Sequence, residues 1–496
     1  MSFAFSRREL MASAAALSSL AGLAACASAP EPADALGELD ATGLAARIRA
    51  GEITASEALE AAILRAERVN PQLNFITEKV YDLARTRARQ LLTGPFAGVP
   101  TLIKDLMPWS GVATRYGSRA FANNVPSEQP PYMDALLAAG LVPFGKSTTP
   151  EFGLTATTEP MLGGATKNPW DVTRSSGGSS GGAAVAVAAR VVPIAHASDG
   201  GGSIRIPASC NGLFGLKVSR GRTFFGGRPE TGLSISVNGC VSRSVRDTAA
   251  WLAATEQNGA DAAFAPVGMV SSANTRRLRI IVSIPDALGR EPDPQVRAAI
   301  EAAAELCRGL GHEVREGRPA IDGEAFTNDF ILLWAASAAE VAALVTSVAP
   351  GVPLDQVLEP LTLGLAEHYR AAGAGALDAA VARLHQAEAQ YAEAFATADV
   401  LLTPVLAKPP LPLGEIAPTL GMAGFDRVRD YASYTPLQNV AGAPAMSVPL
   451  GWSTSGLPIG AHFSAAKGQE KRLLELAYEL EQARPWAGRR PGISAV

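Results

Sequence analysis

The segment SSGGSSGGAA, residues 175–184, constrains the fold of this chain more than any other stretch. Four serines and four glycines stand together, and the small apolar run AAVAVAA (183–189) follows directly. A run of small apolar residues suits a buried helix, whereas a Gly/Ser linker would join two domains. We therefore interpret residues 175–189 as a bent loop that enters a buried helix.

Two further segments indicate what such a loop could do. In SDGGGSIRIP (198–207), Ser203 follows three glycines and a predicted buried strand. Glycine permits positive φ angles, so backbone N–H groups there can converge on one point, as an oxyanion hole requires. In GVPTLIKDL (98–106), Lys104 follows another buried strand, where an ammonium would be poorly solvated. Together the three segments indicate an activated serine.

The remaining pattern predicts an α/β fold built as one large domain. Short apolar strands are predicted at 99–103, 141–144, 191–197, 278–282 and 399–405, with helical segments between them. Thr54-x-x-Glu57 is a capping box, and Asn70-Pro71 predicts the end of that helix. A second helix is predicted at 78–92, and Asp293 with Pro294 predicts the start of a later one.

One segment matches the sequence pattern of a phosphate-binding motif but not its predicted structural context. Residues Gly140 to Ser147 fit G-x-x-x-x-G-K-[ST]. That loop requires a strand before it and a helix after it. Here the order is reversed, because a helix ends at Gly140 and a strand follows, so we interpret the match as chance.

Composition and histidine spacing exclude several function classes. The formal net charge is −4, with no basic run, so no nucleic-acid partner is expected. The five histidines are scattered and form no metal-binding pattern, so no metal and no cofactor are expected. Cys307 continues the apolar series of residues 296, 300 and 303 and is interpreted as a core residue.

The first 25 residues are predicted to be an export signal. Arg7 and Arg8 precede a mildly apolar stretch, as in twin-arginine signals. The tetrapeptide ending at Cys26 resembles a bacterial lipobox, which predicts lipidation of Cys26, a tether over 26–35 and a lipid-anchored periplasmic protein. Cleavage after Ala29, giving an unanchored periplasmic protein, stays open. The oligomeric state, monomer or homodimer, also stays open.

The chain resembles the amidase signature family of serine hydrolases. The resemblance is carried, in order, by GVPTLIKDL (98–106), SSGGSSGGAAVAVAA (175–189), SDGGGSIRIPAS (198–209), GLKVSRG (215–221) and NVAGAPAMSVPLG (439–451) with GLPIG (456–460). It implies one amidase domain over about 36–490, with a central mixed β-sheet flanked by helices.

The resemblance also implies the site and its reaction. Ser203 would be the nucleophile, Ser179 the proton relay and Lys104 the base, with a cis peptide bond between Gly178 and Ser179. The backbone N–H groups of Gly200, Gly201, Gly202 and Ser203 are expected to form the oxyanion hole. We expect Asp199 and Arg205 to brace this loop as an ion pair, Asp105 to point away from the Lys104 ammonium, and His196 to be a core residue.

The substrate is predicted as a small carboxamide, cyclic or linear. PFAGVP (95–100), GATKNPWD (164–171) and PWAGRRP (485–491) are most similar to hydrolases of 6-aminohexanoate cyclic dimer. A peptide C-terminal amidase, an aryl acylamidase or esterase, and a catalytically silent surface lipoprotein with this fold are the alternatives. Export argues against the family's role on charged tRNA.

Overall fold

The computed structural model describes residues 34–224 and 232–496. The predicted signal, the tether up to residue 33 and Cys26 lie outside the described residues. The strands are β1 (Ile76–Lys79), β2 (Pro100–Lys104), β3 (Val142–Ser147), β4 (Lys167–Asn168), β5 (Asp171–Ser175), β6 (Ile194–Asp199), β7 (Phe214–Lys217), β8 (Val237–Ser242), β9 (Arg279–Val282), β10 (Glu313–Glu316), β11 (Val400–Pro404), β12 (Ala445–Trp452) and β13 (Pro458–Ser464).

The α-helices of the described residues lie before, between and after these strands. They are α1 (Ala41–Arg49), α2 (Ala55–Leu73), α3 (Tyr81–Ala88), α4 (Pro131–Ala138), α5 (Gly181–Ala188), α6 (Arg205–Asn211), α7 (Val245–Thr255), α8 (Pro294–Gly309), α9 (Gly323–Val348), α10 (Leu354–Val357), α11 (Pro360–Ala372), α12 (Ala376–Glu393), α13 (Gly421–Tyr431), α14 (Pro436–Val440) and α15 (Glu470–Ala483).

An eight-stranded sheet forms the centre of the molecule. Its order is β10-β9-β11-β13-β12-β7-β8-β6. The pairs β10–β9 and β9–β11 are parallel, and the other neighbours are antiparallel. The prediction of an α/β domain with a central mixed sheet is therefore confirmed.

A smaller sheet, in the order β1-β3-β2, carries the lysine of the predicted site. Strand β2 is buried throughout and ends at Lys104. It contacts β6, the edge strand of the large sheet that leads into the Gly200–Ser203 loop. The two segments that bear the predicted base and the predicted nucleophile thus leave neighbouring strands.

Local predictions near the N-terminus were right only in part. The capping box starts α2, with Thr54 and Glu57 bonded reciprocally. The helix does not end at Asn70-Pro71, as predicted, but continues to Leu73 before Asn74 closes it with a positive φ. The predicted helix at 78–92 is instead β1 followed by the shorter α3.

The structure confirms that the match of Gly140 to Ser147 to a phosphate-binding motif is a chance match. Lys146 lies inside β3 and is fully buried, and the helix α4 precedes that strand. Its ammonium donates to Thr114 Oγ1 and lies 3.8 Å from Asp105 Oδ1. This side chain belongs to the interior and faces no loop that could cradle a phosphate.

Helix α9 is the one helix of the described residues whose length and apolar composition would allow it to cross a membrane. It packs against α11 and α12, and its aromatic residues line a cleft that also contains Ser203.

Candidate active site

The Gly/Ser segment is a buried turn between β5 and α5, and its glycines are required by close backbone contacts. A β-carbon at Gly178 would lie 2.5 Å from the Thr157 carbonyl oxygen, so no larger residue fits. The Gly178–Ser179 peptide bond is cis, as the resemblance implied. Close packing against Thr157 therefore fixes the backbone at Gly178, directly before Ser179.

Lys104 reaches Ser179 from the end of β2. Its Nζ lies 2.7 Å from Ser179 Oγ, 3.1 Å from Ser198 Oγ and 3.3 Å from the Ser198 carbonyl oxygen. The side chain is 0% exposed. Burial lowers the pKa of Lys104 to about 7, although the charge of Asp199 acts in the opposite direction. A large neutral fraction of this amine therefore exists near neutral pH.

Asp105 is engaged elsewhere, as expected. Its carboxylate accepts from the backbone N–H of Arg115 at 3.1 Å and pairs with Lys146. Burial raises the pKa of Asp105 to about 6 against the effect of the Lys146 charge. Among the contacts of the described residues, Asp105 makes none with the Lys104 ammonium.

Ser203 stands between β6 and α6 and lines a cleft. The cleft encloses about 760 Å³, including the part open to solvent, and Gly153 and Gly178 also line it. A β-carbon at Gly153 would lie 3.0 Å from Ser179 Oγ, so Ser179 adjoins the same space. The structure thus places Ser203 in the cleft and Ser179 next to it, and the buried Lys104 is hydrogen-bonded to Ser179.

The predicted set of oxyanion donors needs one correction. The N–H of Gly202 donates to Asp199 Oδ1 at 2.7 Å, so it is not free for a substrate. Within the described residues, the N–H groups of Gly200, Gly201 and Ser203 make no hydrogen bond to protein atoms. Because one buried carboxylate reaches three residues along the chain, the donor set is smaller than the glycine run suggested.

Asp199 and Arg205 form a fully buried, bidentate ion pair. Arg205 Nη2 lies 2.9 Å from Oδ1 and Nε lies 3.0 Å from Oδ2. Burial alone would raise the pKa of Asp199, but the Arg205 charge holds it well below its ordinary value. The expected brace is present, and Asn439 Nδ2 adds a hydrogen bond to Asp199 Oδ1 at 2.9 Å.

Some of this architecture was missed in the sequence. Ser198, a second hydroxyl on the Lys104 amine, lies in the quoted SDGGGS segment but was given no role. His462 contacts Arg205 Nη1 at 3.0 Å, and Lys217 is fully buried with its pKa lowered to about 7 by burial. Ser198 directly precedes a predicted site residue, which is the signal that could have found it.

His196 is a core residue. Its Nδ1 accepts from the Lys104 backbone N–H, and Nε2 faces Asn238 Oδ1 at 3.3 Å. Burial lowers the pKa of His196 to about 3, so the ring is neutral. Cys307 is also buried in the core, as predicted. Over the two described ranges no cluster of three His, Cys, Asp or Glu could hold a metal ion.

Comparison with known proteins agrees with this geometry. The amidase family model matches residues 57–474. The chain is 43% identical over 457 residues to "Putative amidase AmiC" of Mycobacterium leprae, covering 92% of this chain and 97% of that protein. It is 35% identical to the 6-aminohexanoate-cyclic-dimer hydrolase of Paenarthrobacter ureafaciens, covering 91% and 96%.

A solved structure shows the same fold. The 6-aminohexanoate cyclic dimer hydrolase complexed with substrate superimposes with a TM-score of 0.82 at 31% identity, covering 92% of this chain and 99% of that one. The family model spans most of this sequence, and the relatives align over nearly their whole lengths. The chain is therefore an amidase of the amidase signature family.

Proposed function

We propose that the protein hydrolyses a carboxamide C–N bond through an acyl-enzyme on Ser203. The observation that carries this proposal is the 2.7 Å contact between Lys104 Nζ and Ser179 Oγ, made by an amine whose pKa is about 7. A neutral lysine can accept a proton, and a hydroxyl in contact with it can relay one.

The proposed proton path uses this contact for its second transfer. Ser203 Oγ attacks the carbonyl carbon while its proton passes to Ser179, which gives its own proton to Lys104. When the C–N bond breaks, Ser179 returns a proton to the leaving nitrogen and recovers one from Lys104. Water then attacks the acyl-enzyme by the same path and releases the carboxylic acid.

The developing oxyanion is assigned to the N–H groups of Gly200, Gly201 and Ser203. The free state of these donors supports the assignment. Loss of a single oxyanion donor typically costs about 2.7–4 kcal/mol in an acyl-transfer enzyme. Asp199 is assigned a positioning role, because it fixes Gly202 while its neighbours stay free.

The proposed substrate is a small amide, cyclic or linear. The relative named 6-aminohexanoate-cyclic-dimer hydrolase supports a cyclic amide. A peptide C-terminal amide, an aryl amide and an ester remain alternatives, because an acyl-enzyme tolerates several leaving groups. The intact Lys104–Ser179 contact argues against a catalytically silent protein.

A panel of linear, aryl, peptide and cyclic amides, read by mass spectrometry, tests this function. Ser203→Ala and Lys104→Ala should each lower kcat/KM by at least about 10³-fold with thermal unfolding nearly unchanged. Ser347→Ala and Lys471→Ala, at exposed positions, are the matched controls. Substantial activity in either site variant would overturn the assignment, and matched esters would separate esterase from amidase.

A fluorophosphonate probe separates the active enzyme from the silent lipoprotein. It should label Ser203 in the wild type and fail to label Ser203→Ala, because only an activated serine reacts. Absence of labelling in the folded wild type would favour the non-catalytic alternative.

We further propose export and lipid anchoring at Cys26, for which the support is the N-terminal sequence alone. Cys26→Ala in the full chain should move the protein from the membrane fraction to the soluble periplasmic fraction. Equal membrane association of both forms would contradict lipidation.

A further inference from the structure

Three aromatic rings on α9 form one side of the cleft. Phe326, Phe330 and Trp334 are spaced by four residues and therefore share a helix face. The Phe326–Phe330 ring centroids are 6.2 Å apart and the Phe330–Trp334 centroids 5.6 Å apart, both stacked. All three line the cleft together with Ser203. We call these three residues the aromatic wall.

One end of the aromatic wall adjoins residues 200–203, which include the proposed nucleophile Ser203. We call these residues the nucleophile loop. A β-carbon at Gly201 would lie 3.4 Å from Phe330 and 3.5 Å from Trp334. The indole is fixed by a hydrogen bond from Trp334 Nε1 to the Leu154 carbonyl oxygen at 3.1 Å. The eight-residue step from Trp334 to Phe326 rises about 12 Å along the helix. The wall thus extends from the reacting centre along the cleft.

The far end of the aromatic wall, at Phe326, lies next to a second cavity. Phe326 also lines a neighbouring cavity of about 560 Å³, which shares Asp286 and Ala287 with the main cleft. The end of the wall at Phe326 therefore borders this second cavity.

The charged residues of the cleft are already paired within the protein. Asp286 pairs with Arg290 at 2.8 Å, and Arg290 also reaches Asp430 at 2.5 Å. Arg429 pairs with Asp426 and Asp430, each at 3.2 Å. Asp286, Arg290 and Arg429 thus each have an ion-pair partner, while Arg290 Nη2 has no well-aligned hydrogen-bond acceptor among the described residues. A charged group on the arm would lose its water without gaining an ion pair, which is costly.

We infer that the cleft selects amides whose acyl arm is apolar and uncharged, an aliphatic or aryl chain lying along the aromatic wall. This inference rests on the proposed function. Ser179 returns the proton to the leaving nitrogen, so the amine side faces Ser179 and Gly153. The acyl side then faces Gly201 and the wall. The acyl arm stays in the cleft during the acyl-enzyme stage, where the wall can hold it.

A series of 4-nitroanilides with one leaving group tests the inference. With acetyl, butyryl, hexanoyl and octanoyl arms, kcat/KM should rise by up to about fourfold for each added methylene. The 6-aminohexanoyl anilide should react at least about tenfold more slowly than the hexanoyl anilide. A flat series, or an equal rate for the charged arm, would overturn the inference. So would a preference that follows the amine when acetyl amides of growing alkylamines are compared.

Variants link the preference to the wall itself. Phe326→Leu should lower kcat/KM for the octanoyl anilide by a larger factor than kcat/KM for the acetyl anilide. Phe330→Leu should affect shorter arms as well, because it lies nearer Ser203. Leu344→Ala, an exposed position on the same helix, is the control and should leave the octanoyl-to-acetyl ratio unchanged. Equal scaling of all anilides by both wall variants would overturn the assignment.

Failure of the function and failure of the inference give different results. An enzyme that fluorophosphonate labels and that hydrolyses anilides without chain-length dependence contradicts only the aromatic wall. A folded enzyme that hydrolyses no anilide and is not labelled contradicts the proposed function and the wall together.

Discussion

At the scale of single residues, the chemistry depends on how Lys104 is solvated. Its amine contacts two hydroxyls and a carbonyl oxygen, and among its described contacts there is no carboxylate. Burial disfavours the charged amine, and the Asp199 charge offsets only part of this effect, so the pKa falls to about 7. Lys146, equally buried, has the Asp105 carboxylate nearby, and its pKa is lowered less far, to about 8.

Replacement of Lys104 by arginine tests whether activity requires a neutral amine or only a positive charge at this position. Lys104→Arg keeps a cation but cannot supply a neutral base, because guanidinium stays protonated in proteins. We expect a loss in kcat/KM of at least about 10³-fold at every pH from 6 to 9. Recovery of activity towards pH 9 would contradict the role of the neutral amine.

Substitution of Gly202 tests how closely the nucleophile loop is packed. Its φ is 133°, and a β-carbon there would lie 2.3 Å from Thr435 Oγ1. Gly202→Ala should therefore lower activity by more than about 10²-fold and reduce stability. Gly163 also has a positive φ, but a β-carbon there would have no heavy atom within 4 Å. Gly163→Ala therefore serves as the control. Equal effects of the two substitutions would show that φ alone matters.

Short motifs predicted Lys104, Ser179 and Ser203 as site residues, because each motif is a local backbone arrangement. The finer bonding around these residues was not predicted. The bond from Gly202 to Asp199 could not be predicted, since it depends on how a buried carboxylate turns once Arg205 and Asn439 hold it.

At the scale of elements, the junction of β6 and α6 is held by the buried Asp199–Arg205 pair. Arg205→Ala would leave the Asp199 carboxylate buried without its counter-charge. We expect the free energy of unfolding in urea to fall by about 3–5 kcal/mol. A loss below about 1 kcal/mol would show that Asn439 and the backbone N–H groups suffice for that carboxylate.

The first helices show where pattern reading loses accuracy. Pro71 indicated a helix end, yet α2 continues for one more half-turn, because its last residues pack into the core at Val69 and Leu73. The strand β1 was missed because four residues with one buried side chain carry little periodic signal. Its strand character comes from pairing with β3, which is distant in sequence.

At the scale of the whole molecule, a pair of buried glutamates joins segments around the cleft. Glu151 accepts from Ser118 Oγ at 2.7 Å and from the backbone N–H of Glu359 at 2.9 Å, and Glu359 accepts from the Met161 N–H at 2.6 Å. Burial, followed by the Glu151 charge, raises the pKa of Glu359 to about 8.

The raised pKa of Glu359 predicts that the protein loses stability as pH rises towards about 8. The folded pKa of Glu359 exceeds its unfolded value, so folding favours the protonated acid. The free energy of unfolding should fall as pH rises from about 4.5 to 8. Glu359→Gln, which mimics the protonated form, should be more stable than the wild type at pH 9 and similar at pH 5. Equal urea midpoints at pH 9 would contradict this.

The sequence was sufficient to predict an α/β domain but not the strand order. Alternating strands and helices indicate the class, whereas the order β10-β9-β11-β13-β12-β7-β8-β6 depends on long-range pairing. The wall on α9 was equally hidden, because an apolar helix does not show which cleft its face will line.

The pH dependence of kcat/KM tests the central claim most directly. If neutral Lys104 is the base, kcat/KM should rise tenfold per pH unit below about pH 7 and level off above it, since only the unprotonated free enzyme reacts. A profile that stays flat down to pH 5 would contradict the account.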